Sequence, residues 1–340
     1  MRNTIIFLAI LTAGCARKSV IEDAELRAFA PLPASLPAKA TGPLDKQVEL
    51  GRMLFYDARL SRNQMISCNT CHDLAKYGVD GDATSRGFRG QHGDRNSPTV
   101  YNAAAHFVQF WDGRAADVEA QAGGPVLNPV EMALPNEGAA LAVLQSIPEY
   151  VALFQQAFPN DQSPVTYQNM TGAIGAFERG LLTPSRWDKF LAGDRAALTD
   201  EEQAGVKTFV DAGCGACHSG ALLGGHIYQR IGAAKPYPDT SDPGRFKVTK
   251  SESDRMMFKV PSLRNIAKTG PYFHNGKVVA LSDAVSQMGE YQLGRQLTRG
   301  EIASIVTFLN VLTGEIPAQY IQKPNLPPST PKTPTAVMGD

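Results

Sequence analysis

The spacing of apolar positions along the chain predicts many helices and few strands. A helix is expected over 43–56, and another over 166–181 carries apolar side chains on one face, at Met170, Ile174, Phe177 and Leu181. Thr199 with Glu202 has the form of a capping box and should begin a helix that runs toward Cys214. Alternating strand-like patterns are sparse. We therefore expect a mainly α fold.

A second capping box begins the last helix that the pattern predicts. Thr298 pairs with Glu301, and Gly314 should end this helix. Its apolar face is formed by Ile302, Ile305, Val306, Leu309 and Leu312. Outside the helical region, residues 16–40 and 323–340 are rich in Ala or Pro. This composition predicts a tether and a disordered tail.

The N-terminal residues 1–15 have the pattern of an export signal. A positive charge at Arg2 is followed by the apolar stretch 4–12, and small residues precede Cys15. This order resembles a bacterial lipobox, in which the Cys becomes N-terminal and lipid-modified, although Thr12 stands where Leu is usual. Cleavage by the ordinary signal peptidase is the alternative. Either route places the mature protein outside the cytoplasm, with a lipid on Cys15 as its one expected membrane attachment.

Length and charge limit the classes of protein to consider. The 340 residues suggest two domains, at roughly 150 residues each. The 33 basic residues equal the 33 acidic ones, so there is no basic field for a nucleic-acid backbone and no acidic excess typical of disorder. A content of 43% hydrophobic and 19% charged residues is ordinary for a globular protein. No nucleic-acid partner is expected.

All cysteines other than Cys15 lie in two CxxCH motifs. The motifs supply Cys68, Cys71 and His72, and Cys214, Cys217 and His218. This spacing is typical of c-type haem attachment, because two thiols form thioethers with the vinyl groups while the His binds iron. One zinc site built from both pairs would need them about 15 to 20 residues apart, and redox disulfides would not need a His after each pair. The sequence therefore predicts two covalent haem c groups.

The segment after each CxxCH motif is repeated. Residues 97–114 align without gaps with 260–277 and share columns of Pro, Asn, Ala, Phe and Gly. The repeat predicts two related cytochrome c-like domains that arose by duplication. We place them at 41–182 and 183–314, followed by a return segment and Pro-rich tail at 315–340.

One potential iron ligand distinguishes the two predicted domains. Met288 lies as far beyond Gly276 as Pro125 lies beyond Gly113, and Pro cannot bind iron. His with Met saturates iron and raises its potential, whereas His alone leaves a position open for a small substrate. One electron carrier and one catalytic centre are therefore expected. Other thioethers, each equally compatible with a place in the core, belong to Met132, Met256 and Met257.

Three side chains are candidates for chemistry at the open iron: Trp111, Gln121 and Glu131. The stretch 125–132 is apolar and bounded by Pro, so the Glu131 carboxylate should be buried and functional. One acid/base group is the minimum equipment for moving a proton between two oxygen atoms. Trp111 stands opposite His274 in the repeat, which places it near a haem edge rather than in ordinary core.

These motifs together closely resemble the bacterial di-haem cytochrome c peroxidases. The likeness runs from about 40 to 320 and is carried by the CxxCH motifs, the segments 110–114, 130–132, 260–265 and 271–274, and Met288. It implies a periplasmic homodimer that reduces hydrogen peroxide to water with electrons from a small cytochrome c or cupredoxin.

The resemblance also implies roles for individual residues. The haem at Cys68, Cys71 and His72 would be peroxidatic, with Glu131 as acid/base group assisted by Gln121. The haem at Cys214, Cys217, His218 and Met288 would accept electrons, and Trp111 would lie between the two haems. A calcium ion would be bound by the Asn96 side chain and the carbonyls of Thr269 and Pro271, a ligand set that is chemically reasonable for calcium.

Two questions stay open at the level of sequence. A di-haem electron carrier would need both irons saturated, and a related oxidase acting on protein tryptophan would have Tyr at position 288; an oxidase of a small molecule is a further alternative. Many relatives also have a distal His in a Gly-His-Gly loop, but here Gly87 is followed by Phe88 and Arg89. Either His92 reaches the iron through a shifted loop or the iron is open at rest. We expect the open or loosely ligated state.

Overall fold

Helices make up most of the regular secondary structure in residues 20–338, the part of the chain that the computed structural model describes. The α-helices are α1 (Asp23–Leu26), α2 (Leu44–Tyr56), α3 (Cys68–Cys71), α4 (Val118–Leu127), α5 (Glu137–Gln145), α6 (Pro148–Ala157), α7 (Tyr167–Glu178), α8 (Arg186–Leu191), α9 (Asp200–Asp211), α10 (Phe246–Thr249), α11 (Leu281–Gln287) and α12 (Arg299–Val311). Strands β1 (Tyr228–Arg230) and β2 (Met257–Lys259) pair antiparallel, with Tyr228 opposite Lys259. The mainly α fold class is confirmed.

The first hydrophobic core is built around two helices that the sequence predicts, α2 and α7. They cross in close contact at Gly51, where a Cβ atom would lie 1.8 Å from the carbonyl oxygen of Ala173. The buried side chains around this crossing include Leu50, Leu54, Phe55, Ile174 and Phe177. We call residues 41–182, which contain this core, the first half.

The second hydrophobic core contains α9 and α12. Both predicted capping boxes form: the Thr199 hydroxyl accepts from the N–H of Glu202, and Thr298 does the same for Glu301, each at 3.2 Å. The last helix ends at Val311, earlier than the prediction that Gly314 ends it. The N–H of Gly314 instead donates to Asn265 Oδ1 at 2.9 Å, which joins this segment to the repeat. We call residues 183–314 the second half.

The N-terminal segment is packed on the second half, unlike the tether that its composition indicated. Ile21, Leu26 and Phe29 are buried there, and the ring of Phe29 lies 5.5 Å from that of Trp187 in an edge-to-face contact. Apolar side chains in an Ala- and Pro-rich segment therefore fix its course. The export signal 1–15 and Cys15 lie outside the described residues.

The C-terminal segment lies along the first half, unlike the expected disordered tail. The Arg59 guanidinium donates to the carbonyl of Pro327 at 2.8 Å, and the hydroxyl of Thr330 donates to the carbonyl of Ser146 at 2.9 Å. These bonds use tail backbone and hydroxyl groups, which composition does not reveal. Within residues 20–338, no helix has the length and hydropathy needed to cross a membrane.

The two repeated segments keep matching conformations and meet where the halves touch. Asn102 and Asn265 both have left-handed backbones, with φ of 60° and 61°. Their side-chain amides donate to the same hydroxyl, that of Thr183, each at 2.8 Å. The Arg95 guanidinium in turn bonds Asp112 and Asp242, each at 2.6 Å. The contact between the halves is therefore partly charged and built largely from the repeat.

Candidate functional site

The first CxxCH motif forms a single helical turn, α3. The N–H of Ser67 donates to the hydroxyl of Thr70 at 3.0 Å, and the N–H of His72 donates to the carbonyl of Cys68 at 2.9 Å. His72 Nδ1 lies 3.3 Å from the carbonyl oxygen of Gly78, which leaves Nε2 available for a metal. Burial lowers the pKa of His72. The neutral imidazole that iron binds is thus favoured.

The second CxxCH motif repeats this arrangement in a 3-10 turn, Cys214–Ala216. The N–H of His218 donates to the carbonyl of Cys214 at 3.0 Å, and His218 Nδ1 lies 3.0 Å from the carbonyl oxygen of Leu223. Burial lowers the pKa of His218 to about 4. In both motifs a backbone carbonyl therefore fixes the tautomer that presents Nε2.

The four thiols of the two motifs form no disulfide with one another. Burial raises the pKa of Cys71 and of Cys214 to about 11, and it also raises the pKa values of Cys68 and Cys217. No three His, Cys, Asp or Glu side chains between residues 20 and 338 come together as a metal site. The two Cys pairs therefore do not form a shared zinc centre.

A cavity with largely apolar walls extends from the second CxxCH motif toward the contact between the halves. It is lined by His218 and Met288 and by apolar side chains that include Phe209, Val260, Leu263, Val285, Leu297 and Leu309. Met288 begins a π-helical turn, Met288–Gln292, that continues α11. The alternatives Met256 and Met257 do not line this cavity, and Met132 is buried in the first core.

Two buried imidazole nitrogens in the cavity wall indicate what the cavity takes. His106 Nε2 and His274 Nε2 have no hydrogen-bond partner in the described part of the chain. Buried polar groups are normally paired, so the wall leaves two imidazole nitrogens for a group that brings polar atoms of its own. Apolar walls, the two thiols of one CxxCH motif and a His with an available Nε2 fit a covalent haem with its carboxylate side chains.

Glu131 lies close to the first CxxCH motif. Its Oε1 accepts from Asn128 Nδ2 at 2.8 Å, and no donor among residues 20–338 bonds Oε2. Burial raises the pKa of Glu131, while Arg114 and the Asn128 bond lower it less. The charge of Glu131 raises the pKa of Cys71, so its electrostatic field reaches the first CxxCH motif. The carboxylate is half-buried, less enclosed than the sequence indicated.

The loop around residues 87–88 supports the backbone of Glu131. The N–H of Phe88 donates to the Glu131 carbonyl at 2.7 Å. A Cβ atom at Gly87 would lie 1.9 Å from the carbonyl oxygen of Val130, so a larger residue would displace the loop. His92 lies farther along this loop with an exposed side chain, and its Nδ1 is 2.9 Å from the carbonyl oxygen of Thr84.

The other predicted catalytic residues occupy different places. Gln121 is on α4, and its side chain makes no hydrogen bond with any other described residue, Glu131 included. Trp111 lines the cavity at the contact between the halves, and its Nε1 donates to the carbonyl of Asn96 at 2.9 Å. The Trp111 ring lies 6.4 Å from that of His274, edge to face.

The predicted calcium ligands line the same cavity. Asn96 is buried, and its amide Nδ2 donates to the carbonyl of Asp82 at 3.1 Å. Within residues 20–338, no donor bonds Asn96 Oδ1 or the carbonyl oxygens of Thr269 and Pro271. Three oxygens without donors are chemically suited to a hard cation.

Sequence reasoning missed the buried pair of His106 and Lys259. Lys259 Nζ lies 2.9 Å from His106 Nδ1, and both residues line the cavity. The repeat marks the position of Lys259, which precedes its second copy just as Asn96 precedes the first, but it does not indicate the burial of Lys259 or its contact with His106.

Comparisons with known proteins agree with this geometry. The family model described as di-haem cytochrome c peroxidase matches residues 45–196. A cytochrome c551 peroxidase of Pseudomonas aeruginosa is 45% identical over 94% of this chain and 93% of that protein. A cytochrome c551 peroxidase of Nitrosomonas europaea is 46% identical over 88% of this chain and 89% of that protein.

A solved structure extends the similarity to the fold. A MauG-like protein associated with microbial copper homeostasis superposes with a TM-score of 0.74 at 29% identity, covering 86% of this chain and 98% of that one. Identity above 40% over most of the chain, together with two CxxCH sites in the same fold, leaves one assignment. The chain belongs to the di-haem cytochrome c peroxidase family.

Proposed function

We propose that the protein is a periplasmic peroxidase that reduces hydrogen peroxide to water with electrons from a small cytochrome c or cupredoxin. The observation that carries the proposal is the difference between the halves. Met288 lines the cavity of His218 in the second half, whereas Pro125 holds the equivalent repeat position in the first. The first half also has the Glu131 carboxylate, whereas the equivalent position of the second half is Gly294. One half is thus equipped to pass electrons and the other to handle a proton.

Two haem c groups would be held at Cys68, Cys71 and His72, and at Cys214, Cys217, His218 and Met288. When bound, they supply iron that takes up the peroxide in the first half and electrons through the second.

The protein's own part in the reaction centres on Glu131. Oε2 takes a proton from the peroxide oxygen that binds and returns it to the oxygen that leaves as water. Asn128 fixes the carboxylate through Oε1, and Gln121 assists from α4. Since burial raises the pKa of Glu131, its carboxylate takes up the proton more readily than an exposed one.

Further parts of the proposal concern electron transfer and assembly. Trp111 lies at the contact between the halves and would mediate electron transfer between the haems. Calcium would bind Asn96 Oδ1 with the carbonyls of Thr269 and Pro271. The support is that no donor in the part of the chain that the structure describes bonds these oxygens. A homodimer and a lipid on Cys15 complete the proposal, on the strength of the resemblance and the lipobox.

Peroxide turnover by the matured protein tests the proposal. A pyridine haemochrome assay should give two haems per chain, and a reduced cytochrome c should be oxidised on addition of peroxide. The fully reduced protein should bind carbon monoxide at one haem. Two haems without turnover and without carbon monoxide binding would identify an electron carrier instead.

A further inference from the structure

The two halves exchange equivalent hydrogen bonds where they meet. Asn96 and Lys259 precede the two copies of the repeat at the same position, and Trp111 and His274 are also repeat equivalents. The N–H of Asn96 donates to the carbonyl of His274, and that of Lys259 donates to the carbonyl of Trp111, each at 2.8 Å. Asn96 and Lys259 therefore occupy related places in a local two-fold arrangement.

This relation connects the proposed calcium site with the surroundings of the Lys259 ammonium. The repeat equivalents of Thr269 and Pro271 are His106 and Val108. Lys259 Nζ donates to the Val108 carbonyl at 3.1 Å and to His106 Nδ1 at 2.9 Å. At one of the two related places, Asn96, Thr269 and Pro271 present oxygens to a cation. At the other, the protein supplies a cation of its own, the Lys259 ammonium.

The Lys259 ammonium is buried without an anion. Its residue is only 5% exposed, and none of the ion pairs among residues 20–338 includes it. Asp112 is the carboxylate whose charge reaches it, but Asp112 already pairs with Arg95 at 2.6 Å and Arg114 at 3.1 Å. Burial lowers the pKa of Lys259 to about 7. A buried ammonium is stable when a counter-ion pairs with it.

His106 adds a second donor from the other half. Its Nδ1 accepts from Lys259, so the proton of the neutral ring is on Nε2. Nε2 is buried and has no partner in the described part of the chain. The Lys259 ammonium also has a third N–H, to which no acceptor bonds among the described residues. Both residues line the cavity that contains His218 and Met288.

We propose that Lys259 and His106 form a carboxylate-binding site that takes a propionate of the haem attached at Cys214 and Cys217. Propionates are the charged groups at a haem's edge, and a charge-assisted pair of N–H donors is a strong acceptor site for a carboxylate. The inference rests on haem loading as in the proposed function. It predicts that Lys259 sets the potential of the second haem, since a nearby cation favours the reduced, less positive state.

Lys259→Met tests this site, with Lys268→Met as the matched control because Lys268 is exposed in the same half. A spectroelectrochemical titration at constant pH should show that Lys259→Met favours the oxidised second haem by at least about tenfold, which is 59 mV for a one-electron couple. The propionate bending band in the resonance Raman spectrum should shift as well. The control should leave both unchanged.

His106→Phe is a second test of the site, for the case in which the Lys259→Met variant does not fold or attach its haems. It removes one donor at similar volume and should lower the same potential by a smaller amount. Unchanged potentials and Raman bands in the variants would overturn the site, as would a shift confined to the haem at Cys68. Haem content and peroxide turnover of the unmodified protein are measured first, so a failure there counts against the proposed function instead.

Discussion

Glu131 illustrates how the position of one side chain sets its chemistry. The carboxylate is half-buried and is held at Oε1 by Asn128, so burial raises its pKa while the hydrogen bond limits the rise. Because the raised pKa keeps the proton to higher pH, activity that needs the carboxylate should appear only above the pH at which an ordinary Glu ionises.

Glu131→Gln should keep both haems and their spectra but lose peroxide turnover. General acid/base groups contribute about 10² to 10⁴ in rate, and the amide cannot exchange the proton. Steady-state turnover with a reduced cytochrome c measures the loss. Glu137→Gln is the control, because Glu137 is exposed in the same half. Turnover within about twofold of the unmodified protein would remove Glu131 from the mechanism.

His92 is held at the surface rather than aimed into the protein. Its Nδ1 bonds the Thr84 carbonyl, and the loop position after Gly87 is filled by buried Phe88. The fully oxidised protein should therefore show a high-spin haem and turn over peroxide without pre-reduction. His92→Ala should change neither property. A low-spin spectrum that becomes high-spin in the variant would make His92 a gating ligand.

At the scale of elements, local signals agree with the tertiary contacts. Helix α2 and helix α7 each have an apolar face, and Gly51 lets them approach until a Cβ would collide with the Ala173 carbonyl. The π-helical turn at Met288 follows α11 and brings the thioether to the cavity of His218. π-turns of this kind are frequent at functional sites.

Met288→His should retain two protein ligands on the second iron while lowering its potential, because a thioether favours the reduced state. A redox titration followed by absorbance measures the change. Met257→His, in β2 and outside the cavity lining, is the control and should leave the couple unaltered. An unaltered couple in the Met288 variant would show that another residue binds the iron.

At the scale of the molecule, both terminal segments are parts of the fold. Residues 21–29 bury apolar side chains on the second half, and residues 327–337 bond the first half through Arg59, Ser146 and Arg62. Each half is therefore stabilised by chain that lies outside its own helices.

Deletion of 323–340 should lower the melting temperature of the protein. Each intramolecular hydrogen bond contributes about 0.5 to 1.5 kcal/mol, and a loss of 1 kcal/mol lowers the midpoint by about 2–4 °C for a chain of 150–250 residues. Differential scanning calorimetry of the haem-loaded protein measures it, with deletion of 339–340 alone as the control. An unchanged midpoint would agree with a disordered tail.

Features with a local or periodic signature were determined by the sequence alone. The CxxCH spacing, the capping boxes at Thr199 and Thr298 and the apolar faces depend on neighbours within a few residues, where covalent geometry and helix periodicity decide the outcome. The difference between Met288 and Pro125 could also be found, because the repeat provides its own alignment.

Only the tertiary structure decided features that depend on residues far apart in the chain. Lys259 and His106 are separated by 153 positions. The sequence flanking either residue does not indicate that the Lys259 ammonium will be buried against the His106 imidazole. The contact of Phe29 with Trp187 and the hydrogen bond of Arg59 with the C-terminal segment also join distant residues. For these two segments the composition had indicated a tether and a disordered tail. Burial and pairing are set by which surfaces the fold brings together, so the charge environment of the cavity follows from the packing of the two halves.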